Sequence, residues 1–351
     1  MNNICDGIYY DFIWNGKTRS DLETAINNNI EFDTVCIVGP GEYIPGQYYQ
    51  DEEGCNEFIN FCKSHNKKVK VILGANVIPI KKDINITWDT YVLNMTIAHS
   101  VENNVGPIGH TQLIKPFMSL NGRARQNRLR FLDYMEKYKL IDKGYVSFYN
   151  FEKINPYKQN YNFKWWKPKT MQFDKEWFNP VHGYRDFLIP PTEYKNSLWS
   201  IASESIISDF FITEKTWMPL YHQRPFITYG CVNFHKILVN KYRFKLYDSI
   251  IDYSFDSVKD DELRCDMLMK EVEKICSMDL TKQKEILQPV IDYNFKRVME
   301  IIQSNIVNNE IKYYINKTSS QLELYAKQLN IGSSTKFKDF MIRHRLEAYL
   351  K

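Results

Sequence analysis

Hydrophobic and polar positions alternate along the first third of the chain in a way that predicts helices and strands in turn. Ser20 and Glu23 have the spacing of a capping box and predict the start of a helix. Two apolar runs, residues 35–38 and 69–73, have the length and composition of buried strands. Apolar residues at helical spacing lie between them: Cys55, Phe58, Ile59 and Cys62. This order predicts a parallel sheet covered by helices.

The first of these strands ends in a Gly39-Pro-Gly41 turn followed by Glu42. Ligands of parallel sheets bind beyond the carboxyl ends of the strands, so the pattern puts the glycines and Glu42 at the edge of a ligand site. The same glycines also suit a simple turn, and both interpretations stay open.

A strand, a tight loop and a helix are predicted around residue 120. An apolar run from Phe117 breaks at Asn121-Gly122. Helical spacing follows at Leu129, Leu132 and Met135, and the loop region carries Arg123, Arg125 and Arg128. Guanidinium groups beside a helix N-terminus suit phosphate oxygens, although a cationic surface loop would have the same composition.

Residues 211–230 place an acid and a base at a predicted helix start. Thr213 suits the N-cap, which puts Glu214 and Lys215 in the first turn, where the helix dipole favours an anion. Lys215 suits a phosphate, and Glu214 suits ribose hydroxyls. A solvated charge pair is the alternative interpretation. Pro219 is expected to kink or shorten this helix.

Residues 211–230 resemble the donor-binding segment of the alpha-1,3-fucosyltransferases: an aromatic residue, then x-Thr-Glu-Lys, an apolar helix, and a proline-containing strand ending in glycine. The arginine loop and the segment Lys143-Gly-Tyr-Val-Ser-Phe148 resemble virus- and phage-encoded relatives of that family. The resemblance covers residues 117–256. It implies an α/β fold with two Rossmann-like domains facing a cleft, the GT-B glycosyltransferase architecture.

The resemblance also implies roles for individual residues. One arginine of the loop would bind the pyrophosphate of a nucleotide sugar, and which of the three does so stays open. The implied donor-binding residues are Arg123, Arg125, Arg128, Phe211, Thr213, Glu214, Lys215, Tyr229 and Gly230. The implied reaction inverts the sugar by direct displacement and needs a general base from the first domain, for which we consider Glu42 first and Asp89 second.

Chain length and a cluster of Asn, Gly and Pro near residue 105 predict two domains. Residues 1–108 would form the acceptor-side domain and residues 109–330 the nucleotide-sugar domain. A basic helix, residues 331–351, is expected to pack back on the first domain, as last helices do in the architecture that the resemblance implies. Apolar stripes carboxyl-terminal to Tyr247 predict the helices that close the second domain.

The acceptor is open between a hydroxymethylated pyrimidine in viral DNA and a glycan. Residues 157–169 alternate aromatic and lysine residues, which suits bases and sugar faces, and equally an exposed loop packed on the core. The candidate acceptor-binding residues are Lys164, Trp165, Trp166 and Lys167. A nucleic-acid-binding module without turnover is the rival hypothesis. The abundance of Asn, Ile, Lys and Tyr fits an AT-rich genome, such as that of a phage, a large virus or a low-GC bacterium.

Composition excludes several other classes of protein. The seven cysteines lack zinc or disulfide spacing, and no clear Asp-x-Asp motif is present, so we expect no metal and no cofactor besides the nucleotide-sugar co-substrate. Without an apolar stretch of spanning length, we expect no membrane partner and a cytoplasmic location, that of the host cell if the protein is viral. The net charge of +4 is too small to indicate nucleic-acid binding by itself.

Overall fold

The computed structural model describes residues 4–5, 8–12, 18–28, 30–31, 33–39, 60–73, 86–88, 106–110, 112–121, 125–148, 161–166, 190–205, 207–208, 210, 212–307, 339, 342–344 and 346. The chain forms two compact units, one of residues Met1–Met95 with Ser304–Ser334, the other of Thr96–Gln303 with Thr335–Lys351. The predicted domain bounds at residues 108 and 330, and the predicted packing of residues 331–351 on the first domain, stay predictions.

The first unit contains a five-stranded sheet in the order β1-β2-β3-β4-β5. Its strands are β1 (Ile4–Cys5), β2 (Ile8–Phe12), β3 (Thr34–Gly39), β4 (Lys68–Leu73) and β5 (Ile86–Trp88). β1 pairs antiparallel with β2, and all later pairs are parallel. Helix α1 (Thr18–Asn27) connects β2 to β3, and residues 60–64 are helical before β4. The two predicted strands and their parallel pairing are therefore confirmed.

The second unit contains a parallel four-stranded sheet in the order β7-β6-β8-β9. Its strands are β6 (Lys115–Asn121), β7 (Tyr145–Phe148), β8 (Ser197–Ser203) and β9 (Phe226–Tyr229). The chain moves from β6 to one side of the sheet to form β7, and then to the other side to form β8 and β9. The winding direction consequently reverses between β6 and β8. The α/β class predicted from the sequence is confirmed.

Helices connect and cover these strands. They are α2 (Gln126–Lys137), α3 (Glu214–Tyr221), α4 (Phe234–Ile237), α5 (Asp261–Ser277) and α6 (Leu280–Val307). Short 3₁₀ turns are formed by Thr192–Asn196 and Tyr253–Ser257, and α4 continues into a π-helical turn, Leu238–Tyr242. The predicted helix after the arginine loop and the predicted carboxyl-terminal helices are confirmed, although the first of the latter begins at Asp261 and not directly after Tyr247. α3 is short and includes Pro219, as expected.

Helices α2 and α3 lie on opposite faces of the sheet. Thr228 and Tyr229 are neighbours on β9, so their side chains point to opposite faces. The Thr228 hydroxyl contacts that of Thr216 on α3, at 3.4 Å between the oxygens. The Tyr229 ring packs against Phe131 of α2, with ring centroids 6.2 Å apart. Because both helices follow their strands directly, both begin at the carboxyl-terminal edge of the sheet.

Strand β8 is buried along its whole length because helices cover both of its faces. Trp199, at its centre, donates its indole N–H to Gln283 Oε1 of α6 at 2.7 Å, which satisfies the polar end of a buried ring. Among the helices of the described part of the chain, none is both long enough and apolar enough to cross a bilayer.

Gly230, which follows β9, is required by close packing. A Cβ built at this position would lie 2.5 Å from the Phe234 ring. We therefore expect Gly230→Ala to lower the free energy of unfolding of the second unit by about 1–3 kcal/mol, the usual cost of overpacking. Gly109→Ala is the matched control, because a Cβ there meets no atom within 4 Å, and it should cost less than about 0.5 kcal/mol. Urea denaturation of both variants measures the difference, and equal stabilities would contradict the packing role.

Candidate functional site

The carboxyl-terminal edge of the second unit's sheet gathers the predicted donor-binding residues. β6 and β8 are adjacent strands that end here, and the chain winds away from them in opposite directions. The loop after β6 leads into α2, and the loop after β8 leads into α3. In open parallel sheets, ligands bind at the edge where the winding reverses, because the diverging loops leave a crevice there.

Glu204, the first residue after β8, holds this edge together. Its side chain is fully buried and accepts three hydrogen bonds. They come from Thr213 N–H at 3.1 Å, the Thr213 hydroxyl at 2.5 Å and the Thr216 hydroxyl at 2.7 Å. The carboxylate therefore fixes where α3 begins.

Thr213 is the N-cap of α3, as the sequence predicted. Its backbone is extended, and its hydroxyl oxygen accepts the N–H of Lys215 at 3.3 Å. Glu214 and Lys215 consequently occupy the first turn, and their side chains form an ion pair. About a quarter of the Glu214 side chain is exposed, so the pair lies at the surface of the edge.

Two arginines of the other loop meet the chain just after β8. Arg125, the N-cap position of α2, donates to the Ser205 carbonyl at 3.1 Å. Arg128, in the first turn of α2, is buried and donates to the Ser205 hydroxyl at 2.8 Å. Asn127 adds a bond of 2.5 Å to the Glu204 carbonyl. The two loops are thus fixed to each other, with two guanidinium groups on one serine.

Charges at this edge influence one another. Burial alone would raise the pKa of Glu214, but Lys215 and Arg128 outweigh it and hold that pKa below its usual value. Burial lowers the pKa of Lys215, and Arg128 adds to the lowering, while Glu214 opposes it. Burial raises the pKa of Glu204, although Lys215 and the two threonines oppose the rise. Lys215 and Arg128 therefore favour ionisation of Glu214, whereas burial opposes ionisation of Glu204.

Asn121, the last residue of β6, presents an unused acceptor at the same edge. Its side chain is buried and donates to the Ser119 hydroxyl at 3.0 Å. Its amide oxygen has no hydrogen-bond partner in the part of the chain that is described. A buried amide oxygen without a donor costs free energy, so this atom is suited to receive an N–H or O–H group from a ligand or a water molecule.

Of the other predicted donor-binding residues, Tyr229 and Gly230 lie at the end of β9, on the same edge, and the rest lie outside the described residues. Tyr229 is buried beneath the start of α5, where its hydroxyl donates to the Asp261 carbonyl at 2.9 Å. Gly230 packs against Phe234. Both have structural contacts that the sequence did not suggest. Residues outside the described part of the chain are Glu42, Asp89, Arg123, Lys167 and Phe211, so those predictions stay as they were.

The candidate acceptor segment, residues 161–166, is fixed to the middle of α2 by Asp133. This buried carboxylate accepts three consecutive backbone N–H groups, those of Lys164, Trp165 and Trp166, at 2.7 to 3.0 Å. The Tyr161 hydroxyl donates to it as well, at 3.3 Å. Asp133 lies about 10 Å along α2 from the arginine end, since a helix rises about 1.5 Å per residue.

The rings of this segment have different environments. Trp166 is only 4 % exposed and packs edge-on against Phe148 and Phe163, so its ring is part of the core rather than an open stacking platform. Trp165 is 40 % exposed and contacts the edge of Tyr134. Lys164 forms an ion pair with Glu262 at 2.7 Å. Only Lys164 and Trp165 of the four candidates thus present accessible groups in the described structure.

Sequence reasoning missed Glu204, Ser205, Asn127 and Asn121. The Ser-Glu-Ser run at 203–205 directly follows a stretch with apolar residues. Polar residues at the end of a buried parallel strand indicate a ligand site, so this run could have predicted the site. In the residues that the structure describes, no three His, Cys, Asp or Glu side chains are grouped as metal ligands would be.

The fold and this edge define an α/β protein whose parallel sheet carries a cationic, partly exposed carboxyl-terminal edge. No family model, no curated protein and no solved structure matches the chain. The resemblance drawn from residues 117–256 therefore stays an expectation.

Replacement of Glu204 by Gln tests the buried carboxyl group through pH. Its pKa in the folded state is raised above the ordinary 4.5, so on raising the pH the unfolded chain ionises first and the wild type loses stability. Glu204→Gln cannot ionise. We expect the melting temperature of the variant, relative to the wild type, to increase from about pH 4.5 upward. Glu285→Gln, an exposed change on α6, is the control. A difference that stays constant between pH 4 and 8 would contradict the raised pKa.

Proposed function

We propose that the second unit binds the nucleoside diphosphate of a nucleotide sugar, and that the chain is an inverting glycosyltransferase of the GT-B architecture. The observation that carries this proposal is the meeting of Arg125, Arg128 and Lys215 beside two helix N-termini at the edge where the sheet's winding reverses. A diphosphate is the ligand chemistry that three cations and two positive dipole ends suit best.

The two helix starts differ in a way that supports an anionic ligand. Within the described part of the chain, no side chain caps α2, and its first turn contains no acidic residue. α3 has a capping threonine and one acidic residue, Glu214. The N-terminus of α2 therefore keeps its positive potential, and Arg125 and Arg128 add two full charges to it.

Glu214 and Lys215 suit the nucleoside and the phosphates respectively. The lowered pKa of Glu214 keeps its carboxylate ionised, so it accepts hydrogen bonds from hydroxyl groups such as those of ribose. An ammonium group has three N–H donors, so Lys215 can hold a phosphate oxygen while it keeps its bond to Glu214. The pair thus serves both parts of one ligand.

In the proposed reaction, the acceptor oxygen attacks the anomeric carbon of the sugar while the bond to the diphosphate oxygen breaks. The acceptor hydroxyl loses its proton to a general base, for which Glu42 and Asp89 stay the predicted residues. The leaving diphosphate gains negative charge, and Arg125, Arg128 and Lys215 would stabilise it, a task that Mg²⁺ performs in other transferases. No resident cofactor is part of the proposal.

A nucleoside diphosphate should stabilise the protein in the presence of EDTA. At about 100 times its dissociation constant, the ligand should add about 2.7 kcal/mol to the free energy of unfolding, measured as a shift in melting temperature across UDP, GDP and the other diphosphates. Lys215→Met removes a charge-assisted hydrogen bond worth about 1.5–3 kcal/mol, so affinity should fall roughly tenfold or more.

Lys270→Met is the matched control for Lys215→Met, because it removes an exposed lysine on α5. It should leave the shift unchanged. A melting temperature that no diphosphate raises would refute the proposed donor site. If the diphosphate raised the melting temperature of Lys215→Met as much as that of the wild type, the nucleotide would bind at another part of the molecule.

The acceptor that we propose first is a hydroxymethylated pyrimidine in DNA, with a glycan as the second candidate. Trp165 offers an accessible ring, Lys137 lies 5.1 Å from its centroid, and Lys164 is adjacent. A ring flanked by two ammonium groups suits a base and its phosphates. It also suits a sugar face, which is why a glycan is the second candidate.

Transfer to hydroxymethylated DNA should decrease steeply with salt, because each neutralised phosphate releases counterions. Lys164→Ala should reduce the slope of log affinity against log salt by about one, and Trp165→Ala should weaken DNA binding by about 1–3 kcal/mol at every salt concentration. Tyr293→Ala is the control, since Tyr293 is an exposed ring with Lys245 at 4.4 Å from its centroid. Mass spectrometry of the DNA and of the glycan after the reaction measures which of them has gained a sugar.

Three other results would change this assignment. Transfer to a neutral oligosaccharide, with none to DNA, would select the glycan acceptor. DNA binding without hydrolysis of any nucleotide sugar would favour the nucleic-acid-binding module. A salt response unchanged by Lys164→Ala would place the DNA on another surface.

A further inference from the structure

The opposite, amino-terminal edge of the same sheet contains a buried arginine. Arg224 precedes β9 and is 1 % exposed. Burial lowers its pKa to about 10, which still leaves it protonated at neutral pH. No carboxylate of the described residues forms an ion pair with it within 4 Å, and the group that opposes the lowering of its pKa is Tyr194. A buried charge without a counter-ion is costly, because desolvation is not offset.

Only part of the Arg224 guanidinium is used. Its Nη2 donates to the carbonyls of Ile108 and Gly109, at 3.1 and 3.2 Å, and its Cζ lies 5.1 Å from the centroid of the Tyr194 ring. Its Nε and Nη1 are buried and have no hydrogen-bond partner in the described structure. These N–H groups can only donate, so they need acceptors.

His222 supplies another unpaired donor in the same neighbourhood. Its Nδ1 accepts a hydrogen bond from the N–H of Ile108 at 3.1 Å. The carbonyl of the same residue accepts a hydrogen bond from Arg224. Nδ1 is therefore the acceptor nitrogen, and the proton of the neutral ring is on Nε2. Nε2 is buried and, among the residues described, has no acceptor. Burial and the charge of Arg224 lower the pKa of His222 to about 3, so the ring is neutral.

Among the described residues, the groups that act on the pKa values of Arg224 and His222 add no negative charge at neutral pH. His110 also has a pKa lowered to about 3, by burial first and then by Arg224 and Lys284. Burial raises the pKa of Tyr194, which keeps its hydroxyl protonated. The Tyr194 and His222 rings lie 5.8 Å apart and close one side of the region. Arg224 thus lies among neutral rings, and Tyr194 Oη and His110 Nε2 are also buried without a hydrogen-bond partner among the described residues.

We infer that Arg224 and His222 form an internal binding site for a small inorganic anion of the chloride class. The anion would accept from Arg224 Nε and Nη1 and from His222 Nε2, and it would neutralise the buried guanidinium. This site lies where β6, β8 and β9 begin. It is therefore separate from the proposed diphosphate site, which lies where those strands end, and it serves stability rather than turnover.

Melting curves at constant ionic strength test this inference, with potassium chloride replacing potassium gluconate in steps. The melting temperature of the wild type should rise with chloride and saturate as a single site does. Crystals soaked in bromide should show an anomalous peak within hydrogen-bond distance of Arg224 and His222. Arg224→Met should abolish the chloride response. His222→Phe retains a ring and removes one donor, so half-saturation should require several-fold more chloride.

Arg264→Met is the matched control. Arg264 is equally buried but has an ion-pair partner in Asp261, at 2.5 Å. Its loss should lower the melting temperature and leave the chloride response intact. Equal melting temperatures in chloride and gluconate would overturn the inference, and so would a chloride response that survives in Arg224→Met. A bromide peak without saturable stabilisation would mean binding at crystal concentration only and would count against it. If Arg224→Met does not fold, the wild-type titration, the bromide map and His222→Phe still decide.

Discussion

The carboxylate of Glu204 is the interaction on which the candidate site depends. This single residue contacts three elements: its N–H donates to the Tyr229 carbonyl of β9 at 3.0 Å, its carbonyl accepts from Asn127 of α2, and its side chain holds Thr213 and Thr216 of α3. Burying a carboxylate is costly, and three donors offset that cost. The position of α3, and with it Glu214 and Lys215, follows from this one side chain.

Cations gather at one edge because of how the sheet is wound. α2 and α3 pack on opposite faces, yet each follows its strand directly and so begins at the same edge. Arg125 and Arg128 reach across to Ser205, which joins the two loops. Parallel winding thus brings together residues that are 77 and 80 positions apart in the chain, along with two positive helix ends.

Buried carboxylates position other loops of the second unit in the same way. Asp133 accepts the consecutive N–H groups of residues 164–166. Asp256 accepts the N–H groups of His235 and Lys236, each at 3.1 Å. A carboxylate has several acceptor positions, so one side chain can satisfy a whole turn of backbone that would otherwise be buried without partners. The ring of Trp166 enters the core because the backbone beside it is held by Asp133.

Local chemistry in the sequence determined several elements. The strands at 34–39, 68–73 and 115–121, the helix at 126–137 and the cap at Thr213 all follow from spacing and capping within a few residues, which depend little on the rest of the fold. The cationic character of the loop after β6 was also predicted from the sequence. Such a local pattern does not indicate which distant residues the loop will contact in the folded protein.

Only the tertiary structure decided the rest. Strand β8, which Glu204 follows, contains three serines and has no alternation of polar and apolar residues, because both of its faces are buried. Partners such as Asn127, 76 residues away in the chain, form hydrogen bonds with these serines. The sequence likewise left open whether the rings of Trp165 and Trp166 stack on a ligand or pack on the core, whereas in the structure Trp165 is exposed and Trp166 is buried, beside backbone that Asp133 holds. Long-range hydrogen bonds to buried carboxylates carry no periodicity, so they become visible only when the chain is folded.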